Sequence, residues 1–152
     1  MIICLQESPQ SKRSRIQANG ANLIVVDTYQ DRFATCERLA KEKGLFYAKT
    51  ADSMDVVAGQ GTLALELLGQ AGGDLDALVV PLNGGGMLAG CALAARASNP
   101  RCRVVAVEPE GKELAESLRA GERLWPTDPP RYLKTKAEGI KGWLVCQLIG
   151  RD

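Results

Sequence analysis

The stretch VVPLNGGGMLAG, residues 79–90, places three consecutive glycines between an apolar run and a segment rich in alanine and leucine. The first part is typical of a buried strand and the last part of a helix. A strand that ends in bare backbone and then opens a helix leaves several N–H groups beside the positive end of the helix dipole. The stretch therefore predicts an anion site, and phosphate is the anion that suits it best.

The rest of the chain alternates strand-like and helix-like patterns in the same way. Thr62 is predicted to cap a helix that ends at Gly72 and Gly73, and Gly44 to end an earlier one. This alternation builds βαβ units, so we expect an α/β fold with a doubly wound parallel sheet. Strands are predicted at 1–5, 21–27, 45–48, 75–81 and 103–110, helices at 9–18, 29–43, 62–71, 86–98, 113–120 and 143–149, and a loop at 121–136.

Composition narrows the function classes. The 152 residues carry 19 basic and 18 acidic side chains, a net charge of +1, which gives no electrostatic footprint for nucleic acid or an anionic membrane. The apolar runs are too short to span a membrane, and no basic leader precedes one, so a cytoplasmic location is expected.

Two residue types restrict the chemistry. The five cysteines are scattered without a CxxC pair, which favours small buried apolar side chains over a disulfide framework or a zinc ribbon. The chain contains no histidine, which excludes histidine-based nucleophilic machinery and imidazole metal ligands. Any catalysis must use lysine, carboxylates, hydroxyl groups or a cofactor.

The glycine-rich stretch also fits a second kind of site. Gly84, Gly86 and Ala89 satisfy the spacing G-x-G-x-x-G/A directly after a strand, and Glu108 ends the next strand 22 residues after Gly86. This is the fingerprint of a dinucleotide-binding module, including the acidic residue for the ribose. A tight turn that binds nothing is the remaining alternative on pattern alone.

Four blocks carry a resemblance to a known family. In chain order they are VVAGQGTLALEL at 56–67, VVPLNGGGMLAG at 79–90, VVAVEPEG at 104–111 and AEGIKG at 137–142. Together they strongly resemble the serine/threonine dehydratase and serine racemase family of fold type II pyridoxal-phosphate enzymes, which are similar to the tryptophan synthase β-subunit. AGQGT is what separates this family from a nucleotide-binding module. The resemblance extends towards the N-terminus through ESPQSKRSRIQANGANLIVVD, residues 7–27.

The resemblance implies a cofactor site. The glycine turn would bind the phosphate of pyridoxal phosphate, and the backbone of Gly139 would lie beside the cofactor ring. Asn83 stands where the family usually has a further glycine, but asparagine tolerates positive φ better than most residues. The implied cofactor-binding residues are Asn83, Gly84, Gly85, Gly86, Met87 through its amide, and Gly139.

The resemblance also suggests a metal site, with poor support. Glu108 matches a carboxylate that helps to hold a divalent cation in serine racemases. The second carboxylate of that site falls at about Leu114, although Glu113 is adjacent. Because a single carboxylate is a poor site for a hard cation, Glu108 is a weak candidate and fits a solvated strand-end carboxylate equally well.

Three parts of the family's catalytic machinery have no match here. These are the Ser-Phe-Lys context of the Schiff-base lysine, the Ser-x-Gly-Asn-His block for the substrate carboxylate, and the C-terminal serine that bonds the pyridine nitrogen. The chain is therefore expected to be catalytically inactive by itself. Its lysines are interpreted as solvated charges in surface helices or loops: Lys12, Lys41, Lys43, Lys49, Lys112, Lys134, Lys136 and Lys141.

The predicted organisation is a partial fold type II enzyme, truncated at both ends. Residues 1–55 would belong to the small domain and residues 56–152 to the large, cofactor-binding domain. The family acts on serine or threonine by elimination or racemisation. A non-catalytic alternative is an interaction remnant that pairs with itself or with a complete paralogue, because truncation would leave apolar sheet edges uncovered.

Overall fold

The computed structural model describes residues 1–50, 52–122, 124, 133 and 135–140. The chain divides into two compact units, Met1–Ala48 and Lys49–Asp152. In the described part of the chain, no helix is long and apolar enough to span a membrane. The predicted helix at 143–149 and most of the predicted loop at 121–136 lie outside the described residues.

The first unit contains two parallel strands and two helices. Strand β1 (Ile2–Leu5) pairs in parallel with β2 (Leu23–Val26), and helix α1 (Gln10–Ala18) connects them. Helix α2 (Tyr29–Lys43) follows and ends at Gly44, which has a φ of 61° as its predicted role requires. These elements agree with the predicted ones to within two residues.

The predicted strand at 45–48 is wrong. In the structure these residues form neither helix nor strand, and the Phe46 side chain is 87% exposed. An apolar run becomes a strand only when a neighbouring strand accepts its hydrogen bonds, and that pairing is set by distant residues. The apolar pattern of residues 45–48 alone was therefore insufficient to predict a strand.

The second unit is built around one parallel pair of strands. Helix α3 (Met54–Gln70) precedes β3 (Ala77–Pro81), helix α4 (Gly86–Ser98) leads to β4 (Arg103–Val107), and α5 (Leu114–Ala120) follows. The two strands pair in register, with Leu78 opposite Val104 and Val79 opposite Val105. The α/β class and the parallel pairing are confirmed.

Helix α3 begins earlier than predicted. It starts after Ser53, so Thr62 lies in its interior, where the Thr62 hydroxyl donates to the carbonyl of Gly59 at 2.7 Å. Thr62 was predicted as the cap because threonine is a common N-cap residue, and Gly59 and Gly61 lower the helix propensity of the residues before it. The helix continues through both residues because packing outweighs that preference.

The core of the second unit lies between α3, α4 and one face of the strand pair. Leu78 and Val80 point into it, whereas Val79 on the opposite face is 62% exposed. Cys91 and Cys102 are buried and Cys4 and Cys36 are half-buried, in line with the interpretation of these cysteines as small apolar side chains, and Cys146 lies outside the described residues. The core residues are Ala64, Leu68, Leu78, Val80, Leu82, Leu88, Cys91, Ala95, Cys102 and Leu114.

Candidate functional site

The glycine-rich stretch forms the predicted turn between β3 and α4. Leu82 is fully buried, and its N–H donates to the carbonyl of Val107 at 2.7 Å, which extends the strand pairing by one residue. Gly85 then adopts a φ of 100° and caps α4, whose first backbone bond runs from Ala89 N to the Gly85 carbonyl at 2.9 Å. The amides of the preceding residues in this first turn have no partner within the helix, as an anion site requires.

Asn83 does not need the conformational freedom of the glycine it replaces. Within the described residues the non-glycine positions with positive φ are Asp52 and Glu113, and in the turn itself the left-handed position is Gly85. The Asn83 residue is exposed. The departure from the family pattern therefore leaves the backbone of the turn unstrained.

Close contact between α3 and α4 explains why AGQGT and the glycine turn occur together. A Cβ atom on Gly90 would lie 2.6 Å from the amide nitrogen of Gly61, and one on Gly61 would lie 3.0 Å from the carbonyl oxygen of Gly90. A Cβ on Gly86 would lie 2.9 Å from Cγ1 of Val56. At Gly90 only hydrogen fits, and at Gly61 and Gly86 a Cβ would be tightly crowded, so α3 packs directly against the start of α4 and supports the turn.

Lys112 lies in the interior of the second unit. Its side chain is fully buried (0% exposed), and its Nζ donates to the backbone carbonyls of Leu82 at 3.1 Å and Asn83 at 2.8 Å. Burial lowers the pKa of Lys112 to about 8, against a smaller opposing effect from the Glu108 carboxylate. The prediction of a solvated charge is wrong here because the topology brings the connection after β4 beside the glycine turn.

A signal for Lys112 was present in the sequence. Carboxyl ends of adjacent parallel strands meet at one edge of a sheet, and ligand sites form at that edge. The glycine turn follows β3 and Lys112 lies five residues after the end of β4. A cation in the second connection can therefore reach the backbone of the first.

The other lysines behave as predicted where they are described. Lys134 and Lys141 lie outside the described residues. The exposed ones are Lys12, Lys41, Lys43, Lys49 and Lys136.

Glu108 is bound to the backbone of the next helix. Its two carboxylate oxygens accept from the amide of Leu114, at 3.1 and 3.2 Å, at the start of α5. Among the described residues, no group of three or more acidic, cysteine or histidine side chains is arranged to hold a metal ion. The metal role of Glu108 stays a prediction, and its visible role is to cap α5.

The remaining predicted contacts are placed as follows. Gly84 is half-buried, Gly85 and Gly86 are buried, and Met87 packs its half-buried side chain against the core. Gly139 lies in the short 3₁₀ helix Glu138–Ile140, is exposed, and has open space where a Cβ would stand. Its assignment as a cofactor contact stays a prediction.

Similar proteins reveal the family. The sequence pattern described as "Pyridoxal-phosphate dependent enzyme" matches residues 1–150. L-threo-3-hydroxyaspartate ammonia-lyase from Saccharomyces cerevisiae is 41% identical over 142 residues, which is 92% of this chain and 42% of that protein. Serine racemase from Schizosaccharomyces pombe is 39% identical, with the same coverage of 92% and 42%.

Solved structures agree with the sequence comparisons. A pyridoxal 5′-phosphate-dependent aspartate racemase superimposes with a TM-score of 0.86 at 40% identity, over 95% of this chain and 44% of that protein. Maize serine racemase superimposes with a TM-score of 0.83 at 33% identity, over 94% and 43%. The chain thus spans about two-fifths of the length of these relatives. With its glycine turn and its parallel α/β fold, the chain belongs to the family of pyridoxal-phosphate-dependent enzymes.

Proposed function

We propose that this chain holds the phosphate of pyridoxal phosphate in its glycine turn and that, by itself, it does not catalyse elimination or racemisation. The observation that carries the proposal is the turn at the start of α4, with Gly85 at a φ of 100° and Gly86 buried against α3. Family members use pyridoxal phosphate, and the turn offers backbone amides at a helix N-terminus for its phosphate.

The residues present fit the phosphate group. Gly85 has no Cβ at the start of α4, so a ligand can approach the backbone of the turn closely. Lys112 is buried behind the turn, on the carbonyl side of the Leu82 and Asn83 peptides. When bound, pyridoxal phosphate supplies an electron sink for the α-carbon of an amino acid, and the share of this chain would be to bind and orient it.

The proposed catalytic inactivity rests on the lack of a lysine suited to bind the cofactor covalently. No lysine here has the Ser-Phe-Lys context of the lysine that holds the cofactor covalently in the family. Lys112, the one buried lysine among the described residues, already donates to two carbonyls. We therefore place the reaction, on serine, threonine or a related β-substituted amino acid, in a longer protein of which this chain supplies the phosphate-binding part.

The test is an absorption titration of the purified chain with pyridoxal phosphate, followed by borohydride reduction and peptide mapping. We expect saturable binding that inorganic phosphate displaces, no single reduced lysine, and no α-keto acid released from serine or threonine. One reproducibly reduced lysine together with α-keto acid release would overturn the inactivity. Absence of any binding would overturn the phosphate site.

The acidic residue of the dinucleotide-binding alternative already serves the protein's own backbone. Both Glu108 oxygens accept from the Leu114 amide at the start of α5, which gives the carboxylate a role in the fold without a ligand. The same titration with NAD separates the two functions, and we expect no saturable binding of NAD.

We further propose that the isolated chain associates with itself. Val79 and Val105 are opposite each other on the strand pair and are 62% and 43% exposed, and Val107 beside them is 45% exposed. An exposed apolar strand face of this kind favours association. Sedimentation is expected to show dimers or larger species, and Val79→Lys should shift them towards monomer. A compact monomeric wild-type chain would contradict this expectation.

A further inference from the structure

Lys112 links two connections that are distant in the sequence. It follows β4. Its Nζ donates to the carbonyls of Leu82 and Asn83, which come directly after β3 and precede Lys112 by 30 and 29 positions. A buried ammonium is costly unless strong acceptors replace its water. Two backbone carbonyls at 3.1 and 2.8 Å serve that purpose, and Glu108 contributes a favourable negative charge.

The same bonds fix the direction of two amide groups. In a planar trans peptide the carbonyl of one residue and the N–H of the next point in opposite directions. When Lys112 holds the Leu82 and Asn83 carbonyls, the N–H groups of Asn83 and Gly84 must point away from Lys112. The Leu82 N–H is itself bonded to the Val107 carbonyl at 2.7 Å, so the entry to the turn is held from both sides.

We propose that Lys112 is a positioning residue for the phosphate turn: its ammonium holds the Leu82 and Asn83 carbonyls so that the following amides are preorganised for an anion. The proposal rests on the proposed function for the identity of that anion. Preorganised donors bind more tightly because their ordering cost is met before the ligand arrives. Lys112 contributes this order without touching the ligand.

The first test needs no ligand. Amide hydrogen exchange across residues 82–88 is compared in the wild-type chain, Lys112→Met, and the control Lys49→Met, which removes an exposed lysine of the same unit. We expect exchange in the turn to be about tenfold faster in Lys112→Met and unchanged in the control. Wild-type exchange in a folded Lys112→Met chain would overturn the proposal.

The second test measures the ligand. Pyridoxine 5′-phosphate has no aldehyde and cannot react with surface lysines, and pyridoxine is the matched ligand without phosphate. We expect Lys112→Met to weaken the binding of pyridoxine 5′-phosphate by about tenfold and to leave that of pyridoxine unchanged. Equal binding of pyridoxine 5′-phosphate by both chains would overturn the positioning role.

Chemical rescue distinguishes positioning from general damage. In Lys112→Ala, added methylammonium can occupy the space of the lost ammonium, and we expect it to slow turn exchange and restore affinity, with no effect on the wild-type chain. If Lys112→Met does not fold, Lys112→Gln carries the comparison, since it keeps an N–H donor on a chain one atom shorter. We expect turn exchange to be faster in Lys112→Gln than in the wild-type chain, because the shorter, neutral side chain cannot hold both carbonyls. Equal exchange in these two chains, with no effect of methylammonium on Lys112→Ala, would then overturn the proposal.

The two proposals fail in different ways. A wild-type chain that ignores pyridoxine 5′-phosphate contradicts the proposed function, whereas the exchange comparison still decides whether Lys112 orders the turn. If the wild-type chain and Lys112→Met bind pyridoxine 5′-phosphate with equal affinity, only the role of Lys112 is contradicted.

Discussion

Each of the two units contains a parallel pair of strands and helices, but the units differ in how much their helices bury. In the first unit α1 buries no side chain and α2 buries only Leu39. In the second unit α4 alone buries Gly86, Leu88, Gly90, Cys91 and Ala95. Small residues on facing helices let the backbones meet, and this gives the second unit a core that can hold a site in fixed geometry.

The largest expected loss of stability comes from a variant that prevents α3 and α4 from approaching each other closely. Gly90→Ala adds a Cβ that collides with the backbone of α3, because the Gly61 nitrogen would lie 2.6 Å away. We expect the second unit to lose roughly 4 kcal/mol of stability, measured by denaturant unfolding, although alanine is the better helix former.

Gly59→Ala is the matched control. Gly59 also lies inside α3, with nothing within 4 Å of an added Cβ, so we expect a gain of about 0.5–1 kcal/mol. Similar losses for the two variants would mean that helix contact does not distinguish these glycines.

These glycines also show how far the sequence determines the fold. The bounds of α2 and α4 were predictable because Gly44 ends one helix and the glycine turn opens the other, both local signals. The start of α3 was not, because Gly61 weakens an isolated helix and makes sense only against Gly90. The burial of Lys112 was missed for the same reason: it depends on which strands are adjacent, and that information is not local.

The next effect concerns the charge buried in the second unit. The pKa of Lys112 is lowered from 10.5 to about 8 by burial, so the unfolded chain binds its proton more tightly than the folded chain. This contribution to stability therefore rises with pH between about 8 and 10.5, by at most about 3 kcal/mol.

The measurement is the difference between the pH profiles of unfolding for wild type and Lys112→Met, which removes the effects of groups common to both. The variant should lack the rise. Phosphate binding by the wild-type chain should change the opposite way and weaken above about pH 8, where the ammonium is lost. If the stability of the wild-type chain and that of Lys112→Met change with pH in parallel, the lowered pKa of Lys112 is contradicted.

A smaller effect is expected in the first unit. The Thr28 hydroxyl oxygen accepts from the Asp31 amide at 3.0 Å and caps α2. Thr28→Ala should cost about 1 kcal/mol, detected as faster hydrogen exchange in the first turn of α2. Thr62→Ala is the control, because that hydroxyl lies inside α3 and caps nothing. A comparable loss in Thr62→Ala would show that hydroxyl removal, not capping, is responsible.

The smallest effect belongs to two exposed ion pairs among the described residues, one taken from each unit. In α2 the Arg38 Nη1 lies 2.8 Å from the Glu42 Oε2. In α5 the Arg119 Nη1 lies 3.5 Å from the Glu116 Oε1. Glu42→Gln and Glu116→Gln should each cost less than about 0.5 kcal/mol, and the cost should vanish in about 0.5 M salt. A cost that persists in salt would indicate a contact other than charge.

The contact between Gly61 and Gly90 has a genetic consequence. Glycine is the only amino acid without a Cβ, so every missense mutation at codon 90 introduces the atom that collides with α3. Position 90 consequently has no mild substitution, and a change there requires a compensating shift of a whole helix. The exposed and uncrowded Gly59, two residues before Gly61, is free to vary, and a mutational scan would show the two codons as opposite extremes within one packed pair of helices.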